Sequence, residues 1–361
     1  MGTTLVFPCC VPAALEYAEE ARRRGEVVIA ASSLAFDETA RHFPTWFRLP
    51  NVYAPDFAAR LSEAVATHHI ERVFAPVSAA HWMLGRLVAR GEIDLDLIGE
   101  MPIRRHAREH ARLMADADAR LADIASMSDD RSTLTRFEVA AVLRHSTAVF
   151  GESSEAKIAA LMAIFAAAPK GDVVEIGVLT GCSASVLEMM ASRYDSGPVL
   201  AVDPWSYANS VQQESPRDLQ EMVDVWDAAV PFETFLTQLL PIARHGEFNY
   251  LPLTSREAHG YWLRDRKIRS AEFGETRYGG EIAVLHIDGN HDYTAVNEDV
   301  ALWAPHLRPG GWLVLDDYFW LHGDGPRRVG DEFLAARADD VARAFVCGSA
   351  LFVQLSVGDV G

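Results

Sequence analysis

The segment Asp172-Val-Val-Glu-Ile-Gly-Val-Leu-Thr-Gly-Cys-Ser-Ala184 constrains the fold more than any other part of the chain. An apolar run carries Glu175, passes into a turn holding Gly177 and Gly181, and opens a helix near Ser183. That order reads as a buried strand, a tight turn and a helix whose first N–H groups are free to bind an anion. Glycine reaches backbone dihedrals closed to other residues, so Gly177 and Gly181 are expected to let the backbone approach a ligand closely. Asp203 comes about 26 residues after Gly177, at the end of the next apolar run. An acid there can accept both hydroxyls of a ribose, as in dinucleotide-binding folds. A βα turn with no ligand is the plainer alternative.

Around this unit the second half of the chain alternates. Strands are expected over 173–176, 199–202, 249–252, 282–287, 312–315, 344–346 and 351–355. The first five are separated by connections long enough for helices, and the last two by a Cys-Gly-Ser turn. Five β/α units closed by a hairpin imply a doubly wound sheet with one reversed strand. The first half also alternates, with strands at 5–7, 27–31 and 72–76 and helices at 13–24 and 56–68. This implies a smaller parallel sheet with crossover helices. No glycine-rich phosphate loop follows any of these strands. A helical stretch over 103–127 leads to the polar break SMSDDRST at 126–133, and two further helices are expected at 134–149 and 153–168. The division expected is therefore a small α/β domain over 1–125, a helical linker over 126–170 and a second domain over 171–361. A chain of 361 residues fits two domains.

Composition narrows the partners. With 33 basic and 51 acidic residues the formal charge is −18, which repels phosphate backbones and anionic lipid. Neither nucleic acid nor a membrane surface is an expected partner, and Arg104, Arg105 and Arg108 read as a solvated helix face. No stretch reaches the length of an apolar membrane span. The opening MGTTLVFPCC lacks a basic region and a long apolar core, so no signal peptide is expected. The four cysteines form no CxxC pair. A reducing, cytoplasmic setting fits these features.

Two further segments place carboxylates at the C-terminal ends of neighbouring strands, the edge where open α/β sheets bind ligands. They are His286-Ile-Asp-Gly-Asn-His-Asp-Tyr293 and Leu307-Arg-Pro-Gly-Gly-Trp-Leu-Val-Leu-Asp-Asp-Tyr318. Asp288, Asp316 and Asp317 are hard oxygen donors, and three such groups together suit Mg²⁺ or a similar cation. Asp317 could instead be a cap or turn residue. His291 is the histidine that the sequence puts beside this cluster. Its imidazole could accept a proton from a substrate hydroxyl, bind a metal or cap a helix. The other histidines carry no such context and are expected at the surface.

Taken together, VEIGVLTGCSA, AVDPW, LTS, HIDGNHDY, Asp299, LRPGGWLVLDDY and GDGPRRVGDEF keep order and spacing over residues 170–335. This stretch resembles class I S-adenosylmethionine (SAM)-dependent methyltransferases. Within them it is similar to the branch of macrocin O-methyltransferase and related sugar and natural-product O-methyltransferases. The resemblance implies a Rossmann-like seven-stranded sheet with the hairpin last. It implies Glu175, Gly177, Thr180, Gly181 and Ser183 around the methionine part of SAM, Asp203 on the ribose, and Thr254 and Ser255 near the adenine. It also implies Asp288, Asp316 and Asp317 as ligands of Mg²⁺ or a like cation, with Asp288 bordering the cofactor as well. Some relatives carry an acidic base two positions after the first metal Asp. Here that position is Asn290, so the base becomes His291, or the metal alone acidifies the hydroxyl.

The expected reaction is O-methylation of a hydroxyl on a sugar-containing or other polar small molecule. Asp288 and His291 would be its catalytic groups, and Trp205, Tyr207, Tyr293, Tyr318 and Trp320 would be candidates for the acceptor pocket. The long insert at 205–235 is a candidate lid. A hydroxylase-like relative, an N-methyltransferase and a non-catalytic SAM-binding protein are the alternatives, and a homo-oligomer is left open. Residues 1–125 resemble the small domain that precedes the ATP-binding core of ATP-grasp ligases. Since that core is absent, the expected role there is substrate selection or dimer contact, with a plain scaffold as the alternative.

Overall fold

The computed structural model describes residues 2–151, 153–216, 218, 221 and 229–357. The chain divides into two compact units, Met1–Arg112 and Leu113–Gly361.

The first unit is a five-stranded parallel sheet with crossover helices. Its strands are β1 (Thr3–Val6), β2 (Val27–Ser32), β3 (Trp46–Arg48), β4 (Ile70–Phe74) and β5 (Asp96–Ile98), in the order β3-β2-β1-β4-β5. The crossovers include α1 (Pro12–Arg23), α2 (Phe57–His68) and α3 (Ser78–Ala89). Three of these strands fall where the sequence places them. The other two, β3 and β5, are three residues each and too short to show a period. In α3 the apolar positions are interrupted by His81 and Gly85, which hides the helix in the sequence. The helix α4 (Pro102–Met127) follows, and the division between the units falls inside it. Arg104, Arg105 and Arg108 are exposed on α4, and Arg108 pairs with Glu100 at 2.7 Å.

The second unit is built on a seven-stranded sheet. The strands are β6 (Asp172–Ile176), β7 (Val199–Val202), β8 (Phe248–Leu251), β11 (Ile282–Ile287), β12 (Leu307–Leu315), β13 (Val341–Cys347) and β14 (Ala350–Leu355). They lie in the order β13-β14-β12-β11-β6-β7-β8. Only β14 runs against the rest, pairing antiparallel with both β12 and β13. This is the reversed strand that the closing hairpin implied. A separate hairpin, β9 (Lys267–Ser270) with β10 (Gly274–Arg277), was not foreseen, because KIRS and GETR are polar and look like loop.

Two apolar layers hold the sheet. On one face, Val173, Val199, Val284 and Val314 pack with α5 (Arg136–Ala148), α6 (Glu155–Ile164), α7 (Cys182–Tyr194) and α8 (Ala229–Leu239). On the other, Val174, Leu200, Leu285 and Leu313 pack with α9 (Ser255–Asp265), α10 (Tyr293–Trp303) and α11 (Gly325–Ala336). Alternate residues of each strand serve opposite layers, as a pleated strand with period two requires. Residues 136–164 therefore belong to the core of this unit: α6 is buried from Lys157 to Ile164 without a break. Among the described residues no helix is long and apolar enough to cross a membrane.

Candidate active site

The strands β6, β7, β8, β11 and β12 end at one edge, and the residues singled out in the sequence lie there. The βα turn after β6 is fixed by its neighbours. Asp203, just past β7, accepts the N–H groups of Val178 (2.8 Å) and Leu179 (2.9 Å) on one oxygen and that of Trp205 (2.7 Å) on the other. Trp205 returns an indole N–H to the Leu179 carbonyl at 2.7 Å. Leu179, Trp205 and Asp317 hold positive φ (51°, 40° and 50°) without being glycine. Such strained backbone concentrates at functional sites.

The two glycines are also needed for packing. A Cβ on Gly177 would overlap the backbone carbonyl of Asp288, and one on Gly181 would meet Leu239 at 2.9 Å and Phe235 at 3.0 Å. Their freedom therefore lets protein elements approach one another, β11's exit against β6's exit and α8 against α7. Gly181 also takes φ 87° as the residue that caps α7.

Glu175 is fully buried and pairs with His286 across β6 and β11, Oε1 to Nδ1 at 2.8 Å. His286, expected at the surface with the other histidines, is completely buried. β11 is buried on both faces, which leaves its side chain no route to solvent. His259 and His306 likewise face each other, Nε2 to Nε2 at 3.0 Å and part-buried. Thr180 donates to the Phe150 carbonyl, and Ser183 is buried in the first turn of α7. Thr254 caps α9 in a reciprocal box with Glu257, and Ser255 accepts the indole N–H of Trp303 at 3.0 Å.

The acidic cluster departs from expectation. Asp288, Asp316 and Asp317 do not form one set of donors. Asp316 and Asp288 converge on the ammonium of Lys157, which contacts Asp288 Oδ2 at 3.1 Å and lies closer still to Asp316 Oδ2. Asp317 turns instead to His291, Oδ2 to Nε2 at 3.0 Å. The physical reason is the left-handed residue Asp317, which sends two consecutive carboxylates in different directions. Two groups of three donors with atoms within 4.8 Å remain, His286–Asp288–Asp316 and Asp288–His291–Asp317. Lys157 is only 1% exposed. Burial alone would lower its pKa, but the charges of Asp288 and Asp316 outweigh that and raise it. Burial would raise the Asp316 carboxyl, yet Lys157 holds it below the ordinary range. Asp288 is pushed well up by burial and by the charge of Asp316.

Sequence reasoning missed Lys157. Its signal was a charge at the head of the apolar run 158–168, at the third position of a helix whose N-terminus disfavours cations.

Over this edge lies the start of the insert. Asn290 donates to the Val211 carbonyl at 2.9 Å, and Asp292 accepts the N–H groups of Gln213 (2.7 Å) and Glu214 (2.8 Å). The Gln212 amide nitrogen lies 3.1 Å from Nδ1 of His291. Residues 217, 219, 220 and 222–228 of the expected lid lie outside the described residues, as does the side chain of Tyr207. Of the other aromatics, Trp320 lies against His291 with centroids 4.4 Å apart. Trp205 packs on Phe232 and Phe235. Tyr293 and Tyr318 donate to Glu332 and Asp331 on α11.

Residues 174–318 match the family described as a methyltransferase domain. Over those residues the second unit is similar to methyltransferase domains, and its strand order is that of the Rossmann-like class I fold. Solved structures similar to the chain include the O-methyltransferase NovP, at 16% identity and TM-score 0.41, over 56% of this chain and 81% of that one. MycE from the mycinamycin biosynthetic pathway, in complex with Mg, SAH and mycinamycin VI, is similar at 17% identity and TM-score 0.30, over 53% of this chain and 47% of that one. The chain thus spans about half the length of MycE. The calicheamicin methyltransferase CalS11 is similar at 14% identity and TM-score 0.40, over 73% of this chain and 95% of that one. No curated protein sequence matches the chain.

Proposed function

We propose that the protein is a SAM-dependent O-methyltransferase acting on a hydroxyl of a sugar-containing or other polar small molecule. The observation that carries this reading is the juxtaposition at one sheet edge of the Asp203-braced turn and the His291–Asp317 pair, joined through Asp288, whose backbone packs on Gly177.

The residues fit SAM. Glu175 Oε2 is buried with no hydrogen-bond partner and can accept from an ammonium. The N-terminus of α7, starting at Cys182, offers free N–H groups to a carboxylate. Asp203, just past the end of β7, would accept the ribose hydroxyls. Bound SAM supplies a methyl group already activated on a sulfonium, so the protein's task is alignment and proton removal.

A divalent cation on Asp288, Asp316 and Asp317 does not fit. Asp316 is committed on both oxygens, Oδ2 to Lys157 and Oδ1 to Ser349 (3.1 Å) and to the Asp317 N–H (2.9 Å), while Asp317 points to His291. The chain's own groups carry the proposed chemistry. The charge of Asp317, 3.0 Å from Nε2, stabilises the protonated form of His291, and His291 takes the hydroxyl proton at Nδ1 once Gln212 moves off. Trp320 and the 211–214 segment shield the imidazole from water.

Calorimetric titration of SAM and S-adenosylhomocysteine into the wild type and Asp203→Ala tests the reading. Micromolar binding in the wild type that is lost in the variant supports it. No binding by the folded wild type overturns it.

A further inference from the structure

We infer that Lys157 is a built-in cation standing where a divalent metal would otherwise sit, so that the acceptor is methylated without a metal ion.

The geometry is that of a constructed site. Ser154 caps α6 by accepting the Lys157 N–H at 3.2 Å, which places Lys157 on the third residue of the helix. The turn between β13 and β14 closes over it: a Cβ on Gly348 would come within 3.2 Å of the Lys157 Cβ and closer to the Ser154 hydroxyl. From the same turn Ser349 donates to Asp316 Oδ1, and the Cys347 thiol lies 3.3 Å from the Ala156 carbonyl. The Asp316 N–H donates to the Ile287 carbonyl at 2.9 Å and that of Asp288 to the Ile176 carbonyl at 2.7 Å, fixing both carboxylates by their backbones.

A lysine this deep, near the positive end of a helix, is doubly unfavourable unless carboxylates hold it. Asp288 and Asp316 do so. Two adjacent carboxylates, Asp316 buried and Asp288 partly so, need a counter-charge in return. A divalent ion could supply that charge, but Mg²⁺ requires close octahedral oxygen contacts and would compete for the oxygens that face the ammonium. Lys157 has a catalytic consequence only if the methyl-transfer reading is right: it then neutralises the pocket wall beside Asp288 and leaves His291 free to act as base. It acts through Asp288 and Asp316 and is a positioning residue.

Mn²⁺ is the probe, because its paramagnetic resonance signal falls when it binds. The full chain is titrated as wild type, Lys157→Ala, Asp288→Asn and His291→Ala. The wild type is expected to leave Mn²⁺ free up to about 1 mM, and Lys157→Ala to bind one ion at least about tenfold more tightly. One-to-one binding by the wild type, lost in Asp288→Asn or His291→Ala, overturns the inference, since the ion then coexists with the lysine. A folded Lys157→Ala with no gain in Mn²⁺ affinity also overturns it. If Lys157→Ala folds only in Mn²⁺, the ion has replaced the ammonium and the inference stands. If it folds neither with nor without the ion, the replacement fails and so does the inference. SAM titration of the same wild-type sample reads the methyltransferase proposal separately: absent SAM binding sinks that proposal whatever Mn²⁺ does.

Discussion

Glu175 and His286 face each other across β6 and β11 with Oε1 and Nδ1 2.8 Å apart, and neither side chain reaches solvent. Each keeps one atom, Glu175 Oε2 and His286 Nε2, without a hydrogen-bond partner. A buried polar atom left open in this way is costly unless a ligand completes it. Glu175→Gln preserves the shape and an oxygen for His286 but weakens the acceptor for an ammonium. The variant is expected to fold and to bind SAM about tenfold more weakly, roughly 1.4 kcal/mol. Calorimetry checks this, and an unchanged affinity in a folded variant would show that Oε2 does not serve the cofactor.

Asp203 has two tasks that substitutions can separate. It braces the turn through three N–H groups, and it is proposed to read a ribose. Asp203→Asn retains one acceptor oxygen and so part of the brace; Asp203→Ala retains none. Hydrogen bonds to a charged acceptor contribute about 1.5–3 kcal/mol each, and water will recover part of that. Urea unfolding is expected to show Asp203→Ala destabilised by roughly 2–4 kcal/mol and Asp203→Asn by about half as much. Both are expected to lose SAM affinity. An Asn variant that binds SAM like the wild type would leave Asp203 with the bracing task alone.

The parallel sheet, its reversed strand and the edge carrying Glu175, Asp203, Asp288 and Asp317 were legible because local rules produce them. Apolar runs set the strands, glycine sets the turns, and acids sit where strands end. What was not legible depends on distant partners. Lys157 and Asp316 are 159 positions apart and Lys157 and Asp288 131 apart. No spacing rule joins a helix start to two later strand ends. The packing task of Gly177 was hidden for the same reason, since the Asp288 backbone that crowds it arrives from β11. His286 was misplaced because a lone histidine in an apolar strand was weighed by its type rather than by the strand, which is covered on both faces.

Asp299 and Glu188 carry a pH dependence. Burial raises Asp299 from 3.8 to about 7 and Glu188 from 4.5 to about 7, against the hydrogen bonds each accepts. In the folded state both hold protons that the unfolded chain has already lost. Folding therefore takes up protons between about pH 4 and pH 7. The stability they contribute is fully present below about pH 4 and is lost as pH rises toward 7. Asp299→Asn and Glu188→Gln remove the titration while keeping the shape. Each is expected to flatten the fall in urea-unfolding stability over that window by about 3–4 kcal/mol. Parallel wild-type and variant curves would mean that neither acid is protonated in the native protein.

The His291–Asp317 pair gives the most direct reading of the chemistry. If His291 removes the acceptor proton, its loss should slow turnover without disturbing SAM, because the imidazole lies beside Asp317, Trp320 and Gln212 rather than in the turn that Asp203 braces. His291→Ala is expected to lower kcat by about 10²–10⁴ while the SAM Kd stays within about threefold. Asp317→Asn should lower kcat less, since it leaves the base in place and removes only its orientation and charge. Gln212→Ala, by removing the amide that lies against Nδ1, should alter KM more than kcat if the 211–214 segment is what an incoming acceptor displaces. The assay is formation of S-adenosylhomocysteine with a panel of glycosylated acceptors. A His291→Ala enzyme with wild-type kcat would move the proton-accepting role to another group, and Asp288, the next carboxylate at the same edge, would be tested in its place.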